Sequence, residues 1–246
     1  MDPLTISAAS GLRSRMESLE ILANNMANTS TPGYKKDAES YSLYLSDAVR
    51  EAGGDADPVT ATLPVIEHNW NDFSQGPLDV TANPLDLALT GSGFFTLQGP
   101  NGPLYTRAGH FQLAADGTVT SPQGYPLLLN DGTALRVDSP QALQISSDGQ
   151  VTQNGQTLGQ LGIVSFGSSG QMARTAGAYY ASAGTPQAAT NASVMQGSVE
   201  GSNVNAPESA VRLMDIMRQF EMLTKAVQIN ADMNSKATNE VARVVS

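Results

Sequence analysis

Apolar residues near the start of the chain recur at helical spacing. Leu12, Met16, Leu19, Ala23 and Met26 follow one another at gaps of four, three, four and three, and Ile6 and Ala9 carry roughly the same face backwards. This predicts an amphipathic helix with a coiled-coil-like seam about three heptads long. Asp2-Pro3 starts it, an oxygen-bearing cap before a proline at the first helical position, and Pro32-Gly33 stops it. Gly11 is its weak point. The end of the chain behaves alike: Leu213, Met217, Phe220, Leu223 and Val227 keep near-heptad spacing after the cap Asn205-Ala206-Pro207-Glu208. Glu208/Arg212, Glu221/Lys225 and Asp232/Lys236 each set an acid four residues before a base, worth about 0.2–0.5 kcal/mol per pair. This helix is predicted to run to about Val244.

Between the two helices the period changes. Asn-Gly or Asp-Gly occurs at 101–102, 116–117, 131–132, 148–149 and 154–155, separated by short apolar or alternating runs such as LDLALTG, GFFTLQ, LYTRAGHFQL, YPLLL, ALRV, LQIS and LGIVSF. Both positions of those pairs tolerate positive φ, so they predict hairpin turns. YSLYLSDAV fits a strand or a short helix, and EAGGDADPVTAT (51–62) has linker composition. The expected fold is α+β. Discontinuous terminal helices (1–33 and 205–246) pair as a coiled-coil-like assembly domain. An extended linker (34–62), a central antiparallel β domain of short strands and hairpins (63–195) and a return segment (196–204) complete the chain.

Composition adds a division of environments. Of 246 residues 40% are apolar, enough for a core, while 15% are charged and 23 are glycine, which favours turn-rich β structure. Residues 37–207 hold 15 of the 23 acids and four of the 13 bases, whereas the ends are balanced. A net charge of −10 excludes nucleic acid as a partner, since that needs a basic face. With no cysteine there are no disulfides or thiolate metal sites. No run has the length of a transmembrane helix, so membrane insertion is not expected. MDPLTISAASGL lacks the basic and apolar regions of a cleaved secretory signal, which taken alone predicts a cytoplasmic protein.

Reaction chemistry finds little footing. His68 lies in EHNW with the only tryptophan and His110 in LYTRAGHFQL, and a lone histidine usually serves hydrogen bonding; no GxSxG, HExxH, P-loop or GxGxxG occurs. The Asp-Gly turns lack the alternating oxygen ligands and distal Glu of a calcium loop. Met214, Met217 and Met222 at helical spacing are packing residues. No catalytic residue, metal or cofactor is predicted; a carboxylate pair for glycoside hydrolysis is a three-dimensional arrangement that sequence leaves open.

Three asparagines, Asn24, Asn25 and Asn28, crowd the end of the first helix although asparagine is a poor helix former. The stretch that contains them, ANNMANTSTPGYKK (23–36), resembles the ANNLANxxTPGFK signature of flagellar rod, hook and hook-associated axial proteins. GSVEGSNVNAPESAVRLMDIMRQFEM (197–222) is similar to the same proteins' C-terminal G-x-x-E-x-S-N-V-(D/N) segment, and NPLDLALTGSGFFTL and LYTRAGHFQLAADGTVTSPQGYPLL look like their β-domain motifs. Met26, Thr29 and Tyr34 stand where the signature usually has Leu, Val or Asn, and Phe. Length and RQFEM are closer to proximal-rod than to distal-rod subunits.

The resemblance implies a non-enzymatic structural subunit of the bacterial flagellar basal-body rod, polymerising through its terminal helices into a helical tube that transmits torque. It implies as partners copies of itself, other rod proteins and the flagellar type III export apparatus, and a periplasm-spanning location reached without a cleaved signal. On that reading the subunit interface comprises Leu12, Met16, Leu19, Ala23, Asn24, Asn25, Met26, Asn28 and Gly33 from the first end. Asn203, Val204, Asn205, Leu213, Met217, Phe220, Leu223 and Val227 complete it from the second. The amides are expected to set register at junctions between stacked subunits, or to cap helix ends. The rival reading is a secreted β-rich binding module for carbohydrate or a surface ligand, dimerised by its helices, with Phe94, Phe95, Tyr105, Phe111 and Tyr125 as an exposed aromatic face.

Overall fold

Caps and breakers begin and end the helices close to where the sequence sets them. In the computed structural model, which describes residues 3–45, 62–138, 143–167 and 172–244, α1 spans Pro3–Ala27 and α2 spans Ala206–Val244. Asn205 caps α2: its side-chain oxygen accepts from the Glu208 N–H at 3.4 Å and its carbonyl from the Ser209 N–H at 2.9 Å. α1 stops at Ala27, ahead of Pro32-Gly33, and a turn follows in which the Thr31 N–H and hydroxyl donate to the Asn28 carbonyl and amide oxygen.

The chain divides into two compact units. The first joins residues 1–26, 37–70 and 205–246, and so holds both helices together with most of two strands, Asp37–Leu45 and Thr62–Asn71, that pair as a two-stranded sheet. Part of the expected 34–62 linker is therefore strand. Tyr41, Leu43 and Leu45 alternate there, a pattern that fits a pleated strand better than a tether. Residues 46–61, the rest of that expectation, lie outside the described residues.

The second unit joins residues 27–36 to 71–204. Its largest sheet has six antiparallel strands in the order Met172–Ala176, Tyr179–Ser182, Gly102–Thr106, Phe94–Gly99, Ile163–Ser165 and Gln187–Ala188. Period-two alternation sends successive side chains of the central strands to different cores. Phe95 and Leu104 join an aliphatic cluster with Leu87, Leu89, Leu97, Leu127 and Val151, while Phe94 and Tyr105 join Met172 and Tyr180 in an aromatic one. In the aromatic cluster Phe73 meets Phe94 and Tyr180 edge-on, each at 5.2 Å between ring centres.

All five Asn-Gly and Asp-Gly pairs sit in hairpin turns. Asn154-Gly155 is a two-residue turn with φ of 52° and 78°, as a type I′ geometry requires. Those at 116–117, 131–132 and 148–149 share another form: the glycine N–H donates three residues back, and the chain closes one residue later. Asp116 takes hydrogen bonds from the backbone and hydroxyl of Thr118, Asp131 from the hydroxyl and backbone of Thr133, and Asp148 from the hydroxyl of Ser146. Those bonds hold all three carboxyls below the ordinary value of 3.8. A depressed carboxyl contributes stability that is complete above its unfolded value and is lost as pH falls through the folded one. Thermal unfolding followed by circular dichroism is expected to be flat from pH 7 to about 5 and to weaken below about 4; a midpoint that rises on acidification contradicts these turns.

Candidate assembly site

The segment that leaves α1 is held by polar groups from distant parts of the chain. Asn25, buried on α1, pairs its amide with the backbone of Asp37: its Nδ2 donates to the Asp37 carbonyl at 2.9 Å and its Oδ1 accepts from the Asp37 N–H at 2.8 Å. This closes the excursion 26–36 as a strand neighbour would. Asn203 does the same work in the second unit. Its Oδ1 accepts from the Lys36 N–H at 2.7 Å, its Nδ2 donates to the Asp72 carbonyl at 2.8 Å, and its own N–H donates to the Tyr34 carbonyl at 3.3 Å.

Within that excursion Gly33 carries φ +67°, and a Cβ there would lie 2.1 Å from the Ala108 nitrogen, so only glycine fits. Tyr34 is fully buried with the Arg174 guanidinium 4.3 Å over its ring, and Arg174 donates to the Lys35 carbonyl. Lys35 is buried without exposure. Its Nζ lies 2.5 Å from Glu200 Oε1 and donates to the Ser74 carbonyl at 2.6 Å. The other Glu200 oxygen faces Arg107 Nη1 at 3.2 Å, and the Gly76 N–H adds a bond to Oε1 at 2.9 Å. Burial pushes the Lys35 amine and the Arg107 guanidinium below their usual values, and the Glu200 carboxylate opposes the shift in both. None of Lys35, Arg107, Glu200 and Arg174 was among the predicted site residues, although the first three lie in motifs quoted above.

The helices supply a different surface. α1 covers Gly11, Ser14, Ser18, Leu22 and Asn25, a stripe of mostly small residues, and a Cβ on Gly11 would stand 3.5 Å from Leu223 Cδ1 of α2. Gly11 is thus a point of close approach with room for a methyl group. On α2 Ser209 and Ile216 are buried, and Leu213, Leu223 and Val227 are among the half-buried positions. The expected seam is divided between this packed face, which takes Leu213, Leu223 and Val227, and a strip beside it. Met16, Leu19 and Ala23 are exposed, Met16 at 55%, and so are Met217 at 51% and Phe220 at 40%; Leu12 and Met26 are half-buried. Each helix therefore keeps an apolar strip open beside its packed side. Asn24 is exposed on α1, Asn28 and Asn205 serve turn and cap, and Gly33 and Val204 are buried in the second unit. Arg212 pairs with Glu39 at 2.5 Å.

Other chemistry finds no frame. Among the described residues no group of three or more His, Asp or Glu side chains could hold a metal, and no helix is long and apolar enough to cross a membrane. His110 pairs with Asp86 at 2.8 Å, and the side chain of His68 lies outside the described residues. Phe94, Phe95, Tyr105 and Phe111 are core residues and Tyr125 is half-buried, so the aromatic face needed by the binding-module reading is turned inward.

Three family models match the chain: "Flagella basal body rod protein" at residues 7–35, "Flagellar hook protein FlgE/F/G D1 domain" at 88–153 and "Flagellar basal body rod FlgEFG protein C-terminal" at 195–240. The buried ionic group takes one residue from each matched stretch. Among similar proteins, a flagellar basal-body rod protein FlgG of Agrobacterium fabrum is 30% identical over 255 residues, covering 93% of this chain and 95% of that one. FlgF of Caulobacter vibrioides is 28% identical over 230 residues, covering 92% of each, and FlgG of Bacillus subtilis 29% over 260, covering 95% and 97%.

Replacing Glu200 by Gln leaves two buried cations facing a neutral amide and is expected to cost about 3–5 kcal/mol. Lys36→Ala removes only a partly exposed pair with Asp72, 3.4 Å apart, and is expected to cost under about 1 kcal/mol. Urea titrations of both variants check the contrast; equal midpoints would remove the ionic group from its central role.

Proposed function

The chain belongs to the flagellar basal-body rod proteins of the FlgF/FlgG type, and we propose that it is a structural subunit polymerising through its terminal helices into the rod, which carries torque from motor to hook. The observation that carries this reading is the pair of apolar strips on α1 and α2 that the chain itself leaves uncovered. Met16, Leu19, Ala23, Met217 and Phe220 are the residues most available to neighbours, with Leu12, Asn24 and Met26 at their margins. Leu213, Leu223 and Val227 support them from the packed side. Asn25 and Asn205 hold backbone groups within the first unit, and Asn28, Gly33, Asn203 and Val204 lie in the second.

Copies joined head to tail through unlike surfaces extend without closing, as a rod requires. The partners are then copies of this chain, other rod subunits and the flagellar type III export apparatus, and the location is the basal body. The FlgF form is favoured over FlgG: the Caulobacter FlgF aligns over 230 positions, within this chain's 246, whereas the Bacillus FlgG needs 260. The family is structural and is not known for enzymatic activity; no group in the chain is asked to perform a reaction.

Phe220→Ala and Ile216→Ala separate assembly from folding. Ile216 is 5% exposed, so its truncation is expected to cost the isolated chain about 2–5 kcal/mol. Phe220→Ala is expected to leave the monomer's unfolding midpoint nearly unchanged and to abolish swimming when supplied to a strain lacking the gene, with no rod in electron micrographs of its basal bodies. Normal swimming with Phe220→Ala and Met217→Ala combined would overturn the reading.

A further inference from the structure

We propose that the second unit holds a binding site for a small apolar carboxylic acid, in the cavity walled by Phe73, Phe94, Phe166 and Met172 with Arg107 at its base. The inference goes beyond the rod reading and does not depend on it.

The argument begins with charge. Ser92, Gly93 and Ser165 complete the lining, so among the described residues Arg107 is its one charged group and no carboxylate faces the space. That is notable in a stretch, 37–207, with 15 acids and four bases. Arg107 moreover shares Glu200 with Lys35, so two buried cations have one carboxylate between them. The buried group is one negative charge short.

The donors are short of acceptors as well. A guanidinium carries five N–H groups in a planar fork. Arg107 donates from Nη1 to the Leu89 carbonyl at 3.4 Å and to Glu200 Oε2 at 3.2 Å, and from Nη2 to the Gly91 carbonyl at 2.5 Å. Its Nε–H is buried and finds no acceptor among the described residues. Buried donors are seldom left so, and a carboxylate is the acceptor whose paired oxygens fit the fork. One such ligand supplies the absent acceptor and the absent charge together.

The walls decide what accompanies the carboxylate. Phe73 and Phe94 meet edge-on at 5.2 Å, Phe166 lies 6.2 Å from Phe94, and Met172 is buried in the same cluster. Rings and a thioether offer polarizable surface and none of the donors that a sugar would need. The cavity measures about 140 Å³. A core cavity of about 150 Å³ admits one benzene ring, so a single ring or a short branched chain fits here and a long acyl chain does not. Ser92, exposed, marks the mouth.

Benzoate is the probe. Titrated into the full chain carrying ¹³C-labelled methionine methyls, it is expected to shift the Met172 methyl saturably, that signal being identified by its loss in Met172→Leu. Benzamide keeps the ring and loses the charge, and is expected to bind at least about tenfold more weakly. Ser92→Phe fills the mouth from an exposed position and is expected to abolish the shift with an unchanged urea midpoint. A Met172 methyl unmoved at about 50 mM benzoate, or equal affinity for benzoate and benzamide, would overturn the site, and neither result needs a variant that alters the cavity. Undiminished binding to Ser92→Phe would overturn it too. All three outcomes leave the rod reading intact, since that stands or falls with the swimming of the Phe220 and Met217 variants.

Discussion

One carboxylate decides where the chain's beginning meets its end. Glu200 is enclosed with Lys35 and Arg107, at 2.5 and 3.2 Å, and its backbone carbonyl also accepts the Gly33 N–H at 2.7 Å. Burying three charges costs several kcal/mol per ion before any attraction is counted, so the group is a poor source of net stability compared with apolar packing. Its value is position. A shift that brought Tyr34 to Glu200 would leave buried charge unmatched, and one that brought Lys36 there would keep the ion pair but move Gly33 out of the site that has no room for a Cβ. Asn203, Arg174 and Gly33 repeat that discrimination with hydrogen bonds, a ring stack and a site without room for a Cβ.

α1 divides labour by residue size. Small side chains at Gly11, Ser14 and Ser18 face the packed side, and Ser18 turns its hydroxyl onto the Ser14 carbonyl at 3.0 Å instead of leaving it unpaired. Small residues let backbones approach, while the bulky apolar ones are displaced about 100° around the helix. On α1, unlike α2 with Leu213, Ile216, Leu223 and Val227 on its packed side, this arrangement spends the small face and keeps the large one. That is the reverse of an ordinary globular helix, whose largest apolar residues go inward first.

Much of this was legible in sequence. The turns were, because Asn-Gly and Asp-Gly have few conformations open to them, and so were the caps at Asn205 and Pro3. The packing face was missed because periodicity detects hydrophobicity, whereas close helix approach is signalled by smallness, and Gly11 looked like a defect for the same reason. The ionic group was missed for a different cause. Lys35 and Lys36 are identical neighbours, and which of them is buried depends on a partner 165 residues away. The strand at Asp37–Leu45 was read as part of a linker because its partner strand lies across a long Gly- and Asp-rich stretch.

The distance in sequence between Lys35 and Glu200 also sets a clock. A polypeptide delivered to its destination from one end, whether by a ribosome or through a pore, presents Gly33, Tyr34 and Lys35 early and must wait for nearly all of the remainder before Glu200 and Asn203 arrive. Contacts of such long separation form late and slowly. Closure of the β unit is therefore tied to completion of delivery, and a partly delivered molecule has no means of locking itself prematurely.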